Sequence, residues 1–396
     1  MTRSTGFDPG DPDDPDIPDP PDPGPDPDPD APHLLAYTLT VGDIVFTGKE
    51  ISSISAGFSS SDMGMSGIST FSLNASCLLS SFSRAAAANL TVGTPVTFTA
   101  EGFGGFPPLY LGSVNISYAT MSITAYDKTF DIDMTFDAEQ FPEYSTNPQD
   151  VDANGNPKKI LYPATQVLNA CTGQAGIGSC TVPGLPALYR SEFAGKTIRQ
   201  ILTDLSQVGV GVFSMQGGSI GFVQFASAGS GSIGVLPGDS SEVYSLGKKS
   251  FLHAFIVDSI YSQTYEYGDS SQSGSGTVSL TGAYFIGKNI CDGAASRLMA
   301  NQYEGWKCDS AKISTCPNYG AAFGSKYIYE CSINFGATEI VASLGAPAPP
   351  MGKGDFRDRE ELAIAEKIQA NEVYGSTSID LNNGLTIMYE EMTQNA

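Results

Sequence analysis

The sequence predicts a mainly β protein interrupted by an α+β insert. Three observations predict it. Short runs of alternating apolar and polar residues recur between residues 34 and 125, separated by Gly and Ser clusters. Near residue 130 this pattern gives way to a loop-rich stretch and then to helical spacing. Strand-like runs return from about residue 250. The composition agrees: 44 Gly, 18 Tyr and 21 Phe against one Trp, and only 16% charged residues. A chain of 396 residues is long enough for two or three domains.

Residues 1–32 are expected to be a disordered acidic tail. The stretch DPGDPDDPDIPDPPDPGPDPDPD, residues 8–30, holds ten Asp and ten Pro. Like charges repel, and proline removes backbone donors and favours a solvated polyproline II rod. An acidic spacer or docking arm is the functional alternative. The formal net charge is −23, and −13 without those ten Asp. A basic face that holds nucleic acid is therefore not expected, whereas an acidic lumen past which DNA slides remains open.

From residue 33 to 130 the pattern is β. YTLTVGDIVF alternates, STFSLNASCLL alternates at Phe71, Leu73 and Ala75, and TPVTFTA places Val96 and Phe98 on one face. LYLGSVNISY and MSITAYD alternate again. Strands of this length at this rhythm suggest a compact antiparallel barrel. Residues 131–240 read as an α+β unit. ATQVLNACTGQ is a short helix with Val167, Leu168 and Cys171 at helical spacing. KTIRQILTDLSQVG is a stronger one, with Ile198, Ile201, Leu202 and Leu205 on one face and Gly209 as its stop. A hairpin with Gly217-Gly218 at its turn follows. In 241–345 strands return in FIVDSIYSQTYEY, GTVSLTGAYF and KYIYECSINFGATEIVASLG, around a helix in GAASRLMANQYEG. Residues 346–396 read as the linker APAPP, a charged helix capped by Asp355 with Lys367 late in it, and a last strand GLTIMYEEM.

Few motifs carry chemistry. Gly195-Lys196-Thr197 resembles the end of a phosphate-binding loop, but the first glycine such a loop needs is replaced by Arg190. The triplet reads instead as the polar first turn of a helix. Asp150, Asp152, Asn154 and Gly155 match the first half of a calcium loop, yet the twelfth position is Leu161 rather than a bidentate Glu, and Pro157 intervenes. An exposed Asx-rich turn is the better reading. His33 and His253 are the only histidines, and neither a G-x-S-x-G elbow nor an H-E-x-x-H helix occurs. Asp131/Asp133 and Glu360/Glu361 read as strand or solvated helix positions. Seven Cys show no zinc spacing, so most are expected to be buried or free thiols, with one or two disulfides as the alternative. The sequons at Asn74, Asn89 and Asn115 are expected to be chance in a Ser/Thr-rich chain. Neither a secretion signal nor a membrane-spanning run is expected.

The order of the pieces is more informative. SSISAGFSSSDMGMSGISTFSLNAS precedes a strand with Gly93 and Val96; Tyr110, Gly112 and Val114 follow in a strand; ITAYD closes the next at Asp127; and Lys196 to Leu202 open a helix before a glycine turn and hairpin. This succession, over roughly 40–345, resembles the baseplate hub or tail-hub proteins of tailed bacteriophages. The family's usual G-D-x-V turn in its second barrel is replaced here by CPNYGAAFGSKYIY.

The resemblance implies two small antiparallel β-barrels per chain, at 33–130 and 241–345, flanking the 131–240 insert. It implies a homotrimeric ring of six barrels, matching a sixfold tail tube to a threefold spike, with DNA passing through the lumen without specific binding. Partners would be the tail tube or distal tail protein, tail fibre or spike proteins and the tape measure protein. The protein would be made in the host cytoplasm and reside at the virion tail tip. No catalytic residue, cofactor or metal is expected. Gly93, Gly112 and Asp127 would punctuate the first barrel, and Lys196, Thr197, Arg199 and Leu202 would set the insert's helix. A tail-tip adhesin or carbohydrate-binding β protein is the alternative, and an envelope-degrading hydrolase a third.

Overall fold

The computed structural model describes residues 33–59, 62–227, 229, 243–268 and 276–349. The expected tail at 1–32, and the charged helix and last strand expected after residue 350, lie outside the described residues.

The first module runs through β1 (Tyr37–Val41), β2 (Ile44–Thr47), β3 (Ile51–Phe58), β4 (Ile68–Ser69), β5 (Ser72–Leu78), α1 (Ser81–Ala87), β6 (Pro95–Ala100), β7 (Leu109–Ile116) and β8 (Thr120–Tyr126). Alternation decides which face goes inward: Leu39 and Val41, Leu73, Ala75 and Cys77, Met121, Ile123 and Ala125 are all buried. The insert contributes β9 (Leu161–Pro163), α2 (Ala164–Ala175), β10 (Ala187–Tyr189), α3 (Arg190–Phe193), α4 (Ile198–Gly209) and the hairpin β11 (Gly211–Gln216) and β12 (Ser219–Gln224). Its turn is Gly217-Gly218, with Gly217 at φ +67°. Ile198, Ile201, Leu202 and Leu205 form the fully buried face of α4. In addition, β11 pairs in parallel with β4, Phe213 opposite Ile68, so the insert's hairpin is tied to the first module.

The second module holds β13 (Val243–Val257), β14 (Thr264–Gly268), β15 (Gly276–Thr281), α5 (Lys288–Met299), β16 (Gln302–Lys312), β17 (Ala322–Phe323), β18 (Lys326–Tyr327), β19 (Glu330–Phe335) and β20 (Ile340–Ala346). The helix expected over 293–305 is shorter at its C-terminal end. Gln302–Gly305 belong to β16, where Tyr303 and Trp306 are buried in the core, and the helix is already complete at Met299.

The mainly β class with helices in an insert is what the structure shows. Closure is where it departs from expectation. Instead of two closed barrels, both modules share one open sheet of 13 strands, in the order β14-β13-β16-β20-β19-β3-β5-β8-β7-β6-β1-β2, with β15 beside β13. The junction is the antiparallel pair β19–β3, Cys331 opposite Phe58 through Asn334 opposite Ser55. The physical reason is that two strand edges satisfy each other's backbone groups when they meet. Gly57 makes the approach possible, because a Cβ there would lie 2.0 Å from the Cys331 carbonyl oxygen. The core is continuous beneath the junction: Phe335 of the second module packs edge-on to Phe98 at 4.9 Å between ring centroids, and Phe58 meets Tyr319 at 5.8 Å.

Candidate functional site

The strands next to the junction expose a face built from neutral polar residues. Register places Asn334, Ser55, Asn74, Thr124 and Ser113 side by side across β19, β3, β5, β8 and β7. A second row is Ser332, Gly57, Ser72 and Tyr126, and a third is Ser53, Ser76, Ser122 and Asn115. No position in these rows carries a charged side chain. The first and third rows line a shallow concavity of about 520 Å³. Thr124 Oγ1 donates to Asn74 Oδ1 at 2.9 Å, which orients that amide. Beyond β19 the face continues through Ser343 and Val341 of β20. Charge returns at Glu330 of β19, two residues before Ser332, and in close pairs around β16, Lys307 with Asp309 at 2.6 Å and Lys312 with Glu339 at 3.5 Å. The other side of these strands is the core, with Ile54, Leu73, Ile123 and Ile333 buried.

The residues singled out from sequence fall into three groups. Gly93, at φ +88°, turns the chain before β6 and stands apart from the others. Gly112 sits at a β-bulge in β7, where a Cβ would lie 2.4 Å from the Tyr126 ring. Tyr126 in turn stacks on Phe130 at 4.3 Å. Asp127 and Arg199 belong to one network at the border with the insert. The buried Asp127 carboxylate accepts from the Phe71 and Thr129 amides, both at 2.9 Å, and from the Thr129 hydroxyl. Burial raises its pKa above the ordinary carboxylate value, against those hydrogen bonds and the Arg199 charge. Arg199 donates to the Thr129 carbonyl at 2.8 Å, to the Phe130 carbonyl at 3.2 Å and to Asp133 at 2.8 Å.

Lys196, Thr197 and Leu202 organise α4. Thr197 is the N-cap: its hydroxyl accepts from the Gln200 amide at 3.2 Å, while Gln200 Oε1 accepts from the Thr197 amide at 2.9 Å. Lys196 pairs with Asp204 at 2.7 Å and lies over the Tyr284 ring at 4.6 Å, joining the insert to the second module. Its ammonium is thus engaged within the fold, and the Gly-Lys-Thr triplet is a helix cap. Leu202 is fully buried.

The remaining motifs resolve as follows. Asp152 Oδ1 accepts from the Asn154 and Asn156 amides at 2.8 and 2.9 Å, and Asp150 pairs with Lys158 at 3.3 Å. The half-match to a calcium loop is an Asx turn. His253 is buried between Glu266, at 2.8 Å, and Thr277, at 3.3 Å. All seven Cys are free, and burial pushes Cys77, Cys171 and Cys316 up to about 12, which leaves them as unreactive thiols. Asp131 and Asp133 flank the start of the insert, and Asp133 holds Arg199. Glu360 and Glu361 lie outside the described residues. Among the described residues no group of three metal-ligating side chains occurs, and no helix is long and apolar enough to cross a membrane.

Two features escaped the sequence reading. The neutral face was visible in principle as Ser, Thr or Asn at the outward positions of each alternating run, but only register shows that the runs abut. Asp258, also fully buried, accepts from the Ile260, Tyr261 and Gly287 amides and fixes the β13–β14 turn to the start of α5. It follows an apolar strand with no flanking signal of its role.

No family model matches the chain, and no curated protein sequence matches it. Solved structures do. The 43 kDa tail protein of prophage MuSo2 from Shewanella oneidensis is 12% identical, with a TM-score of 0.43, over 79% of this chain and 98% of that one. A tail protein from Neisseria meningitidis MC58 is 6% identical, with a TM-score of 0.45, over 79% and 96%. The Escherichia coli c3393 protein, a component of the type VI secretion system described as structurally similar to the T4 phage tail proteins gp27 and gp5, is 9% identical, with a TM-score of 0.40, over 79% and 77%.

Proposed function

We propose that this chain is a structural tail-hub protein that assembles as a homotrimeric ring, with the neutral face of its shared sheet turned towards a channel for DNA. The observation that carries the reading is the uncharged row Asn334, Ser55, Asn74, Thr124 and Ser113 across β19, β3, β5, β8 and β7, flanked by two shorter uncharged rows and spanning strands of both modules. A polyanion held by lysines binds with an affinity that grows steeply as salt falls. A wall of hydroxyls and amides offers it no fixed counter-charge, yet stays wetted. Such a wall suits passage rather than retention. A face that continues unbroken through two modules is also what a ring wall requires, because a seam of charge or apolar surface between modules would interrupt it.

The roles of the other parts follow. The modules at 33–130 and 241–345 form the wall, and the 131–240 insert braces them from the side through Arg199, Lys196 and the β4–β11 pair. Work of this kind is mechanical and uses no catalytic residue. In the virion the ring would sit at the tail tip, between the tail tube or distal tail protein and the fibre or spike proteins. The test is the mass of the purified protein in solution, by sedimentation or native mass spectrometry. A stable trimer is expected, and a strict monomer at high concentration would overturn the ring.

A further inference from the structure

The loop that looked like half a calcium site carries a different chemistry. It closes a ladder in which Tyr144 pairs with Lys159 and Val151 with Pro157. At its tip Asn154 is exposed and is followed by Gly155, at φ +82°, where even a built Cβ would meet nothing within 4 Å. An asparagine side chain can be attacked by the backbone nitrogen of the next residue, and a glycine there removes the side chain that obstructs the approach. Asp152 fixes the backbone on both sides of the pair. Its carboxylate accepts from the Asn154 and Asn156 amides, and its backbone carbonyl accepts from the Gly155 amide at 3.0 Å. The attacking nitrogen is thereby occupied.

We propose that Asn154-Gly155 is a site of spontaneous covalent modification, and that Asp152 is the clamp that sets its rate. The Gly155 nitrogen gives up its proton and bonds to Asn154 Cγ. The Cγ–Nδ2 bond breaks, and ammonia leaves with that proton. Water then opens the five-membered imide at either carbonyl, leaving an aspartyl or isoaspartyl residue at position 154. Water is the only co-reactant and no electrons are exchanged. The product adds a negative charge beside Asp150 and Asp152, and in the isoaspartyl form a methylene in the main chain of the ladder's tip. The Asp-x-Asn-Gly spacing thus acts as a timer on the surface of the insert. This assignment is independent of the tail-hub reading.

The experiment incubates the full-length protein at 37 °C at pH 6 and pH 8, then maps peptides by mass spectrometry with fragmentation that separates isoaspartyl from aspartyl. The wild type is expected to gain 1 Da at position 154, faster at the higher pH because the attacking nitrogen must lose its proton. N154Q, whose longer side chain cannot close the five-membered ring, is expected to stay unmodified there. D152A keeps the backbone carbonyl that accepts from the Gly155 amide but loses the carboxylate that anchors the Asn154 and Asn156 amides. The turn that presents the carbonyl then loosens, and the variant is expected to react roughly three- to tenfold faster, the factor that one or two ordinary hydrogen bonds give. D152N, which keeps an acceptor, is expected to lie between. A wild type unmodified at 154 while its urea-unfolded control reacts would overturn the site. D152A and D152N reacting at the wild-type rate would overturn the clamp.

Discussion

Arg199 donates to the Thr129 carbonyl oxygen at 2.8 Å, so the first turn of the insert's main helix grips the chain just after it leaves β8. The same guanidinium reaches Phe130 and Asp133, while Asp127 holds Thr129 from the other side. Border and insert are therefore fixed by one cation. R199A is expected to lower stability by about 1–3 kcal/mol, because two carbonyls lose a charged donor. The exposed Asp133 partner adds little to that. R199K is expected to recover only part of the loss, since a single ammonium cannot span the three acceptors. Chemical denaturation of the three proteins checks this, and an unchanged midpoint for R199A would remove the insert's brace.

The join between the modules depends on Gly57. G57A sets a methyl 2.0 Å from the Cys331 carbonyl oxygen, and the obstacle is backbone rather than a side chain that turns aside. Strands β3 and β19 must then separate locally. A loss of about 3 kcal/mol or more is expected, with earlier amide exchange in β19 than in β8. G112A is expected to cost about 1–3 kcal/mol, because its obstacle is the Tyr126 ring, which can tilt. If G57A proves milder than G112A in thermal unfolding, the shared sheet is not what holds the modules together.

These two glycines show how far the sequence could be read. Alternation at Leu73, Ala75 and Cys77, and the helical spacing of Ile198, Ile201, Leu202 and Leu205, are local signals, and both became the expected element with the expected face inward. Gly112 attracted notice through the Tyr110, Gly112 and Val114 succession that carries the family resemblance. Gly57 did not, since its reason lies on a strand more than two hundred and seventy residues away. The same distance hides the closure of the sheet. Nothing local tells β19 that its partner is β3, so the strand runs gave no sign that their edges would meet. The neutral face was hidden for the same reason, because it exists only once five runs are in register.

Acid should act on two carboxylates in opposite senses. A hydrogen bond from Lys288, another from Tyr267 and the Lys288 charge outweigh desolvation and hold Asp292 below its ordinary value. The folded chain then binds that proton less tightly than the unfolded chain does. Its contribution is present above the unfolded pKa and is lost as pH falls through the folded one. Asp127, raised by burial, is the reverse: its contribution is full below the unfolded pKa and is lost as pH rises through the folded one. D292N should therefore be less stable than wild type at pH 7, with the gap narrowing as pH falls below the ordinary carboxylate value. Melting curves across this pH range decide, and a deficit that does not shrink at all as pH falls would mean that the loss is not electrostatic.

The neutral wall makes the sharpest claim, because charge can be added to it without touching the core. Asn115, Asn334 and Ser53 are exposed on β7, β19 and β3, and none of the three sits directly opposite another. Replacing all three with lysine leaves the buried face of each strand intact. Wild type is expected to pass over duplex DNA at 50 mM salt without retaining it. The triple variant is expected to bind, with a salt dependence steeper by about 0.9 in log–log slope for each phosphate a lysine reaches. Measuring both proteins by fluorescence anisotropy between 50 and 200 mM salt, with the trimer confirmed by mass, separates the outcomes. Salt-dependent binding by wild type would mean that the wall is not inert. A triple variant that is trimeric and still blind to DNA would mean that duplex never reaches this face, and the channel would have to be lined by other strands.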